Sequence, residues 1–581
     1  MKDLRWISGH SFSAKNKGEM NTTPYWFDSS KRPKFLPLAR PGSVDVLVVG
    51  AGVTGIVATY LLKKAGLRVA LLERERLASR DSGHTTAHLT CVTDKRLYEL
   101  VNQFGRQHAK AAWDAGTAAI DEIDGIVKDE NIACEFSRVP GYLHSPVSGG
   151  QSDERANLRK DAKLANEFGF NAAYLDQVPF MRTPGVRFAD QAKFHPLKFL
   201  FTLAKKIHGD DSHIFENSPV KEFDSKKKRA KANGHWISYD RVVLATNNPL
   251  LGESGLITGM IFQSKLALYS SYVVGATVPR GSIPIASYWD TNDPYQYLRV
   301  DRRAESDYAI FGGEDHKTGQ ERNAETCFRK VATAFLKLAP QVKIDHRWSG
   351  QVIVANDGLP YIGTNEAHQF IATGFCGNGF TFGTIAAVMA RDWITGVKNP
   401  WRDLFSPDRK KVRGGTWDYL RENKDYPYYL IQDRFRSPEG KSVRAVKRGE
   451  GKILKLGGKK LAVYRDDRGR VKKMSAVCTH MGCLVRWNQA DATWDCPCQW
   501  LALQPNGQSA RRPCGNAAPF GLTQTPGQTI GARPSRSTSA NAIFQTLSSR
   551  RRLCFAPCQR PSRLYLDPVD RDCQSLFLPP L

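Results

Sequence analysis

An α/β dinucleotide-binding domain interleaved with an α+β domain, followed by a small all-β domain and an unstructured tail, is the architecture that the sequence predicts. Three observations carry it. A strand, a Gly-rich turn, a helix and a second strand occupy residues 45–73; apolar strands then alternate with amphipathic helices to about residue 400; and short stretches of two-residue period begin after Gly440 and stop abruptly beyond Gln499.

Taken in order, residues 1–42 are polar and Pro-containing and read as an extended arm. Asp45-Val46-Leu47-Val48-Val49 is a buried parallel strand, Gly50-Ala51-Gly52-Val53-Thr54-Gly55 the turn, and Ile56 to Ala65 the helix. Arg68-Val69-Ala70-Leu71-Leu72 is the second strand and ends in Glu73. The glycines permit a tight turn and close approach of backbone to a pyrophosphate, while the helix N-terminus offers free N–H groups and a positive dipole end to the phosphates. Glu73 stands 23 residues after Gly50, where an acceptor for a ribose hydroxyl is expected. This is a Rossmann-type unit. It opens a two-part region, residues 43–400, in which a dinucleotide-binding domain and a substrate domain interleave. Residues 401–437 form a charged, Tyr-rich linker, 438–498 a small antiparallel β domain, and 499–581 a tail without Lys, Glu or any period.

Composition excludes several classes. Hydrophobic content of 41% and charged content of 24% are those of a soluble globular protein. With no run of about 18 apolar residues and no apolar leader, a cytoplasmic enzyme without a transmembrane segment is expected. The net charge of +27 raises nucleic acid as a partner, but residues 501–581 alone hold ten Arg against three Asp. The densest run, Lys226-Lys227-Lys228-Arg229-Ala230-Lys231, has no interleaved aromatics and precedes Asn233-Gly234, so it reads as the solvated arm of a hairpin and no nucleic acid is expected. Twelve cysteines are clustered rather than dispersed: Cys478, Cys483, Cys496 and Cys498 crowd together, which favours a metal site over a disulfide framework.

Further motifs identify the dinucleotide. Ser82-Gly83-His84-Thr85-Thr86-Ala87-His88-Leu89-Thr90, Phe194-His195-Pro196-Leu197, Trp348-Ser349-Gly350, Asp357-Gly358-Leu359-Pro360 and Ala372-Thr373-Gly374-Phe375-Cys376-Gly377-Asn378-Gly379-Phe380-Thr381 together resemble the D-amino-acid oxidase/glycine oxidase superfamily over residues 43–397. The resemblance implies FAD, held noncovalently. By it, Gly50, Gly52, Gly55, Glu73 and Arg74 hold the ADP half, His84, Thr85 and Thr86 pass near the pyrophosphate or ring, Val220 meets adenine, and Gly377, Asn378, Gly379, Phe380 and Thr381 approach the pyrimidine end. His84 and Cys376 are the residues through which a covalent link would form. The family oxidises a C–N bond, chemistry that resides in the cofactor. Substrate-side candidates are Tyr269, Tyr272, Tyr295, Tyr297 and Arg299, with Arg299 a bidentate clamp for a carboxylate or else a surface arginine on an edge strand.

Cys478-Thr479-His480-Met481-Gly482-Cys483, twelve residues, then Cys496-Pro497-Cys498 resembles the two ligand loops of a Rieske [2Fe–2S] domain. Carried over, Cys478, His480 and Cys496 are iron ligands, and Cys483 and Cys498 stand where some such domains form a disulfide. The second histidine belongs at 499, followed by Gly, where this chain has Gln499-Trp500. Gln-Trp is encoded as CA-purine then TGG, and loss of that purine gives CAT GG-any, which is His-Gly whatever the codons. With suitable codons the shifted frame runs on to Pro519 through a Gly-Pro-Ala loop of the Rieske kind. Residues 499–581 are therefore expected to be a frameshifted read-through with no selected pattern. An intact relative would carry electrons from an amine or amino acid to FAD, then through the cluster to an external acceptor. Rival readings are a flavin-containing binding or assembly protein without turnover and a charge-driven nucleic-acid binder.

Overall fold

The computed structural model describes residues 20–147, 154–247, 265–321, 323–409, 438–477, 484–489 and 492–496, together with the backbone of 501–503. Residues 527–581 lie outside the described residues.

Five parallel strands, Gln369–Thr373, His235–Asn247, Gly42–Val49, Val69–Leu72 and His213–Phe215, lie side by side in that order. Val46, Leu47 and Val48 in the central strand Gly42–Val49 are at most 1% exposed, as a strand covered on both faces requires. One face is covered by the helices Val53–Lys64 and Gly379–Thr395, which pack against each other. An antiparallel meander, Val220–Asp224 and Arg229–Ala232, joins this sheet through the hairpin at Asn233 and Gly234, whose φ values of +50° and +86° suit the Asn-Gly turn.

The second layer is a nine-stranded mixed sheet. Its central order is Lys343–Ala355, Leu266–Val278, Asp307–Lys317, Tyr297–Arg302, Ser287–Asp290, Ser137–His144 and Gly185–Lys193. Because strands of the two sheets alternate along the chain, the domains interleave as expected. Downstream lie two three-stranded antiparallel sheets, Glu450–Leu456 with Lys459–Arg465 and Val471–Ser475, and Arg486–Asn488 with Thr493–Cys496 and Leu501–Leu503. Ile453, Ala462, Met474, Val485, Trp494 and Cys496 form their shared core.

Two expectations need correction. The N-terminal arm is not merely extended: a short helix, Tyr25–Asp28, buries Trp26 to 1% exposure, and its indole N–H donates to the Thr85 carbonyl at 2.6 Å. Three consecutive aromatics in a polar stretch give no periodicity, yet one buried Trp suffices to anchor the segment. The loss of pattern at Gln499 is also not the end of structure, since Leu501–Leu503 pairs with Thr493–Cys496. Leu-Ala-Leu is apolar and compatible with a strand, so it can extend a sheet edge whatever its origin.

Candidate active site

A cavity of about 1310 Å³ runs from the Gly-rich turn to the nine-stranded sheet. At one end, the helix Val53–Lys64 begins at the cavity wall with Gly52 as its N-cap. Gly50 has φ +102°, and a Cβ there would meet the Ala245 carbonyl oxygen at 2.6 Å; a Cβ on Gly55 would lie 1.8 Å from the Gly50 carbonyl oxygen. Both glycines are thus required by the protein's own packing, independent of any ligand. Glu73 is fixed by accepting from the backbone N–H groups of Ala51 (2.8 Å) and Glu75 (2.9 Å), and burial raises its carboxyl above the usual range against those bonds. A Gly-lined helix start, an oriented carboxylate at the strand end and a continuous cavity fit the ADP half of FAD.

Most of the expected cofactor residues line this cavity: Gly50, Gly52, Glu73, Arg74, His84, Thr85, Thr86, Val220, Gly377, Asn378, Gly379 and Phe380. Gly55 and Thr381 are not on its wall. Gly55 is packed inside the helix, and Thr381 donates its hydroxyl to the Thr90 carbonyl at 3.1 Å. His84 is positioned from both ends, with Nδ1 2.9 Å from the Ser349 carbonyl and its own carbonyl accepting from Trp348 Nε1 at 3.0 Å. Cys376 also lines the cavity, but burial pushes its thiol up to about 12 and disfavours the thiolate that a covalent link would need.

On the substrate side the structure divides the candidates. Tyr269, Tyr295 and Tyr297 face the cavity, whereas Tyr272 and Arg299 do not. Tyr272 points to the opposite face of its strand, where its ring meets Phe328 edge-on at 4.8 Å. Arg299 is 1% exposed and fully engaged: Nε and Nη2 donate to Asp301 Oδ1 (3.1 and 3.0 Å), Nη1 to the carbonyls of Thr86 (3.1 Å) and Ala87 (2.6 Å), and Nη2 to that of Phe194 (2.6 Å). Its guanidinium also lies 5.0 Å from the Trp26 ring centre. The carboxylate-clamp expectation is therefore corrected: Arg299 ties the arm and residues 86–87 to the nine-stranded sheet. Arg299→Met should cost about 3–5 kcal/mol of stability by leaving Asp301 and three carbonyls short of donors. Denaturant titration checks this, and a change confined to the KM of carboxylate substrates at unaltered stability would restore the clamp.

Residues that the sequence left unmarked complete the wall. Tyr297 Oη and Ser271 Oγ are 2.7 Å apart, and Ser271 also bonds Asp315, whose carboxyl burial pushes up to about 7. Asp94 accepts from the Gly377 N–H at 2.7 Å and bonds Tyr295, and burial raises it too. His88, beside Tyr297, is pushed down to about 4 by burial and by Arg299, so it is neutral near pH 7. Asp315 lies in the polar run Glu314-Asp315-His316-Lys317 at the end of its strand, which gave no local signal that it faces a cavity.

For the iron–sulfur site, Cys478, His480, Cys483 and Cys498 lie outside the described residues. Cys496 is among them, buried at the end of its strand.

The FAD dependent oxidoreductase family model matches residues 45–393, and the Rieske [2Fe-2S] domain model matches 440–525, continuing past Gln499. The Bacillus subtilis protein YhfW, named for a Rieske 2Fe-2S iron-sulfur protein, is 28% identical over 499 residues, covering 84% of this chain and 95% of that one. Gamma-glutamylputrescine oxidoreductase of Escherichia coli is 22% identical, over 72% of this chain and 99% of that protein. Among solved structures, glycine oxidase from Geobacillus kaustophilus aligns with a TM-score of 0.52 at 15% identity, covering 64% of this chain and 99% of that one. L-proline dehydrogenase from P. horikoshii aligns at 0.51 with 19% identity, covering 64% and 98%. These structural likenesses speak for the fold. The chain belongs to the FAD dependent oxidoreductase family and carries a C-terminal Rieske [2Fe-2S] domain.

Proposed function

We propose that the protein oxidises the C–N bond of an amine or amino acid and, in intact relatives, hands the electrons through a Rieske cluster to an external acceptor. The observation that carries this reading is the continuity of one cavity from the dinucleotide cradle to an aromatic wall on a separate sheet. Bound FAD supplies the hydride-accepting chemistry. Gly50, Gly52, Glu73 and Arg74 hold its ADP half, and Gly377 to Phe380 border its other end. Tyr295 and Tyr297 confine the substrate, and burial keeps both hydroxyls protonated at neutral pH. The names of relatives, glycine oxidase and gamma-glutamylputrescine oxidoreductase, support an amine or amino-acid substrate. Location in the cytoplasm is part of this reading. It is supported by the unpaired, buried Cys91, Cys134, Cys327 and Cys376, and among the described residues no helix is long and apolar enough to cross a membrane.

Anaerobic addition of amines and amino acids to the yellow protein tests the reading: at least one should bleach the flavin absorbance. Retention of full colour with every amine and amino acid would leave a binding protein. Residues 499–581 we take as frameshifted read-through, so the cluster is expected to fail in this chain. The strand Leu501–Leu503 is compatible with that, because apolar residues can extend the sheet without supplying the missing imidazole, whereas the family match to residue 525 runs past the proposed shift.

A further inference from the structure

On the basis of the amine-oxidising reading, we propose that the end of the cavity between Asp94 and Asp315 is a subsite for an ammonium group, which selects substrates that are cationic there and rejects a free carboxylate. The first support is Asp315 itself. Its Oδ1 is shut off from solvent and has no hydrogen-bond partner, while Ser271 serves the carboxyl from the other side. Near neutral pH this carboxyl meets the cost of burial in part by protonation, and a cation placed beside it would hold it ionised instead.

The backbone is shaped to put it there. Between the pairs Ser270–His316 and Tyr272–Gly313 the register shifts, so that Ser271 opposes both Glu314 and Asp315, and Glu314 has φ +58°. This bulge turns Asp315 into the cavity at the point where the regular pleat would not have presented both residues.

Aromatic faces complete the subsite. Tyr295 and Tyr297 have ring centres 5.8 Å apart, and Tyr297 lies over Gly312, where a Cβ would approach its ring to 2.4 Å. Trp289 lies over Gly141 in the same way, at 2.7 Å. An ammonium placed among these rings gains from their faces as well as from the carboxylates. Two cationic side chains, Lys95 and Arg96, stand beside Asp94 on the wall, and both are already engaged. Arg96, on the wall, donates to Glu154 and Asp161 at 2.7 Å each, and Arg299 is not on the wall.

Calorimetry on the FAD-loaded full chain with tert-butylammonium and its anionic near-isostere pivalate tests the proposal, because neither has a hydrogen on its charged group's neighbouring carbon and neither can be turned over. The ammonium should bind and pivalate should not, and Asp315→Asn should weaken the ammonium by about tenfold or more while flavin content stays unchanged. Pivalate binding as tightly as the ammonium, or failure of the ammonium to bind the unmodified protein, overturns the subsite even if the variant does not fold. An Asp315→Asn affinity within about twofold of the original also overturns it. The same preparation is then offered oxidisable amines and amino acids. Ammonium binding without any bleaching refutes the oxidation reading and leaves the subsite, whereas bleaching by amino acids without ammonium binding does the reverse.

Discussion

Gly52→Val is expected to give a folded but colourless protein. Gly52 has φ −85°, a value that valine adopts freely, and its Cβ would approach only the Ser82 hydroxyl, at 3.0 Å, which can move aside at the cost of the hydrogen bond it accepts from the Val53 N–H. The added methyl groups instead project into the cavity at the helix start, where the pyrophosphate must approach backbone closely. The loss should therefore fall on the cofactor and spare the fold. Gly55→Ala is the contrasting case, since its Cβ at 1.8 Å from the Gly50 oxygen damages the turn itself. Flavin absorbance per protein, measured beside the unfolding midpoint, separates the two. Gly42→Val, with nothing within 4 Å of the new Cβ, should remain yellow. A yellow Gly52→Val protein with normal flavin content would remove Gly52 from the cofactor site.

The second large effect is all-or-none iron. As encoded, the chain should contain FAD and little or no [2Fe–2S] cluster, because an amide at 499 is a poor substitute for imidazole on the histidine-bound iron. The hydrogen bonds and cover that a cluster draws from residues beyond its ligands would be missing as well. Deleting the third base of the Gln499 codon should restore stoichiometric iron and sulfide together with a rhombic electron-paramagnetic-resonance signal on reduction. Near-stoichiometric cluster in the unrepaired protein would end the frameshift account and make Gln499 or a neighbour a ligand.

What was legible in the sequence and what was not follows from pleat parity. The Val-rich first strand, the Gly50–Gly55 turn and the acid at Glu73 form a contiguous pattern, and so were readable in order. The substrate wall is assembled from strands far apart in sequence, and no local pattern says which face of each looks inward. On the strand Leu266–Val278 the odd positions Tyr269, Ser271 and Val273 reach the cavity, so Tyr272 is turned away by a single residue. Arg299 shares a face with Tyr297 but lies farther along, beneath the carbonyls of Thr86, Ala87 and Phe194, which the sequence could not place. Asp315 was hidden for another reason: a bulge breaks the alternation that would have flagged it.

The chain order of the sheets sets how damage is distributed. Both large sheets are complete once the strand Gln369–Thr373 is laid down, and the helix Gly379–Thr395 closes the cavity wall soon after. Every strand of the two small sheets comes later. On the proposed electron path, a lesion in the last part of the gene therefore removes the electron exit while every strand of both large sheets is kept; among the described residues, the buried contact of Arg486 on the Gly319 carbonyl is a point where the two parts meet. Translation from the N-terminus completes the flavin half first, so on the proposed electron path a shortened protein would keep its oxidising site and lose its outlet.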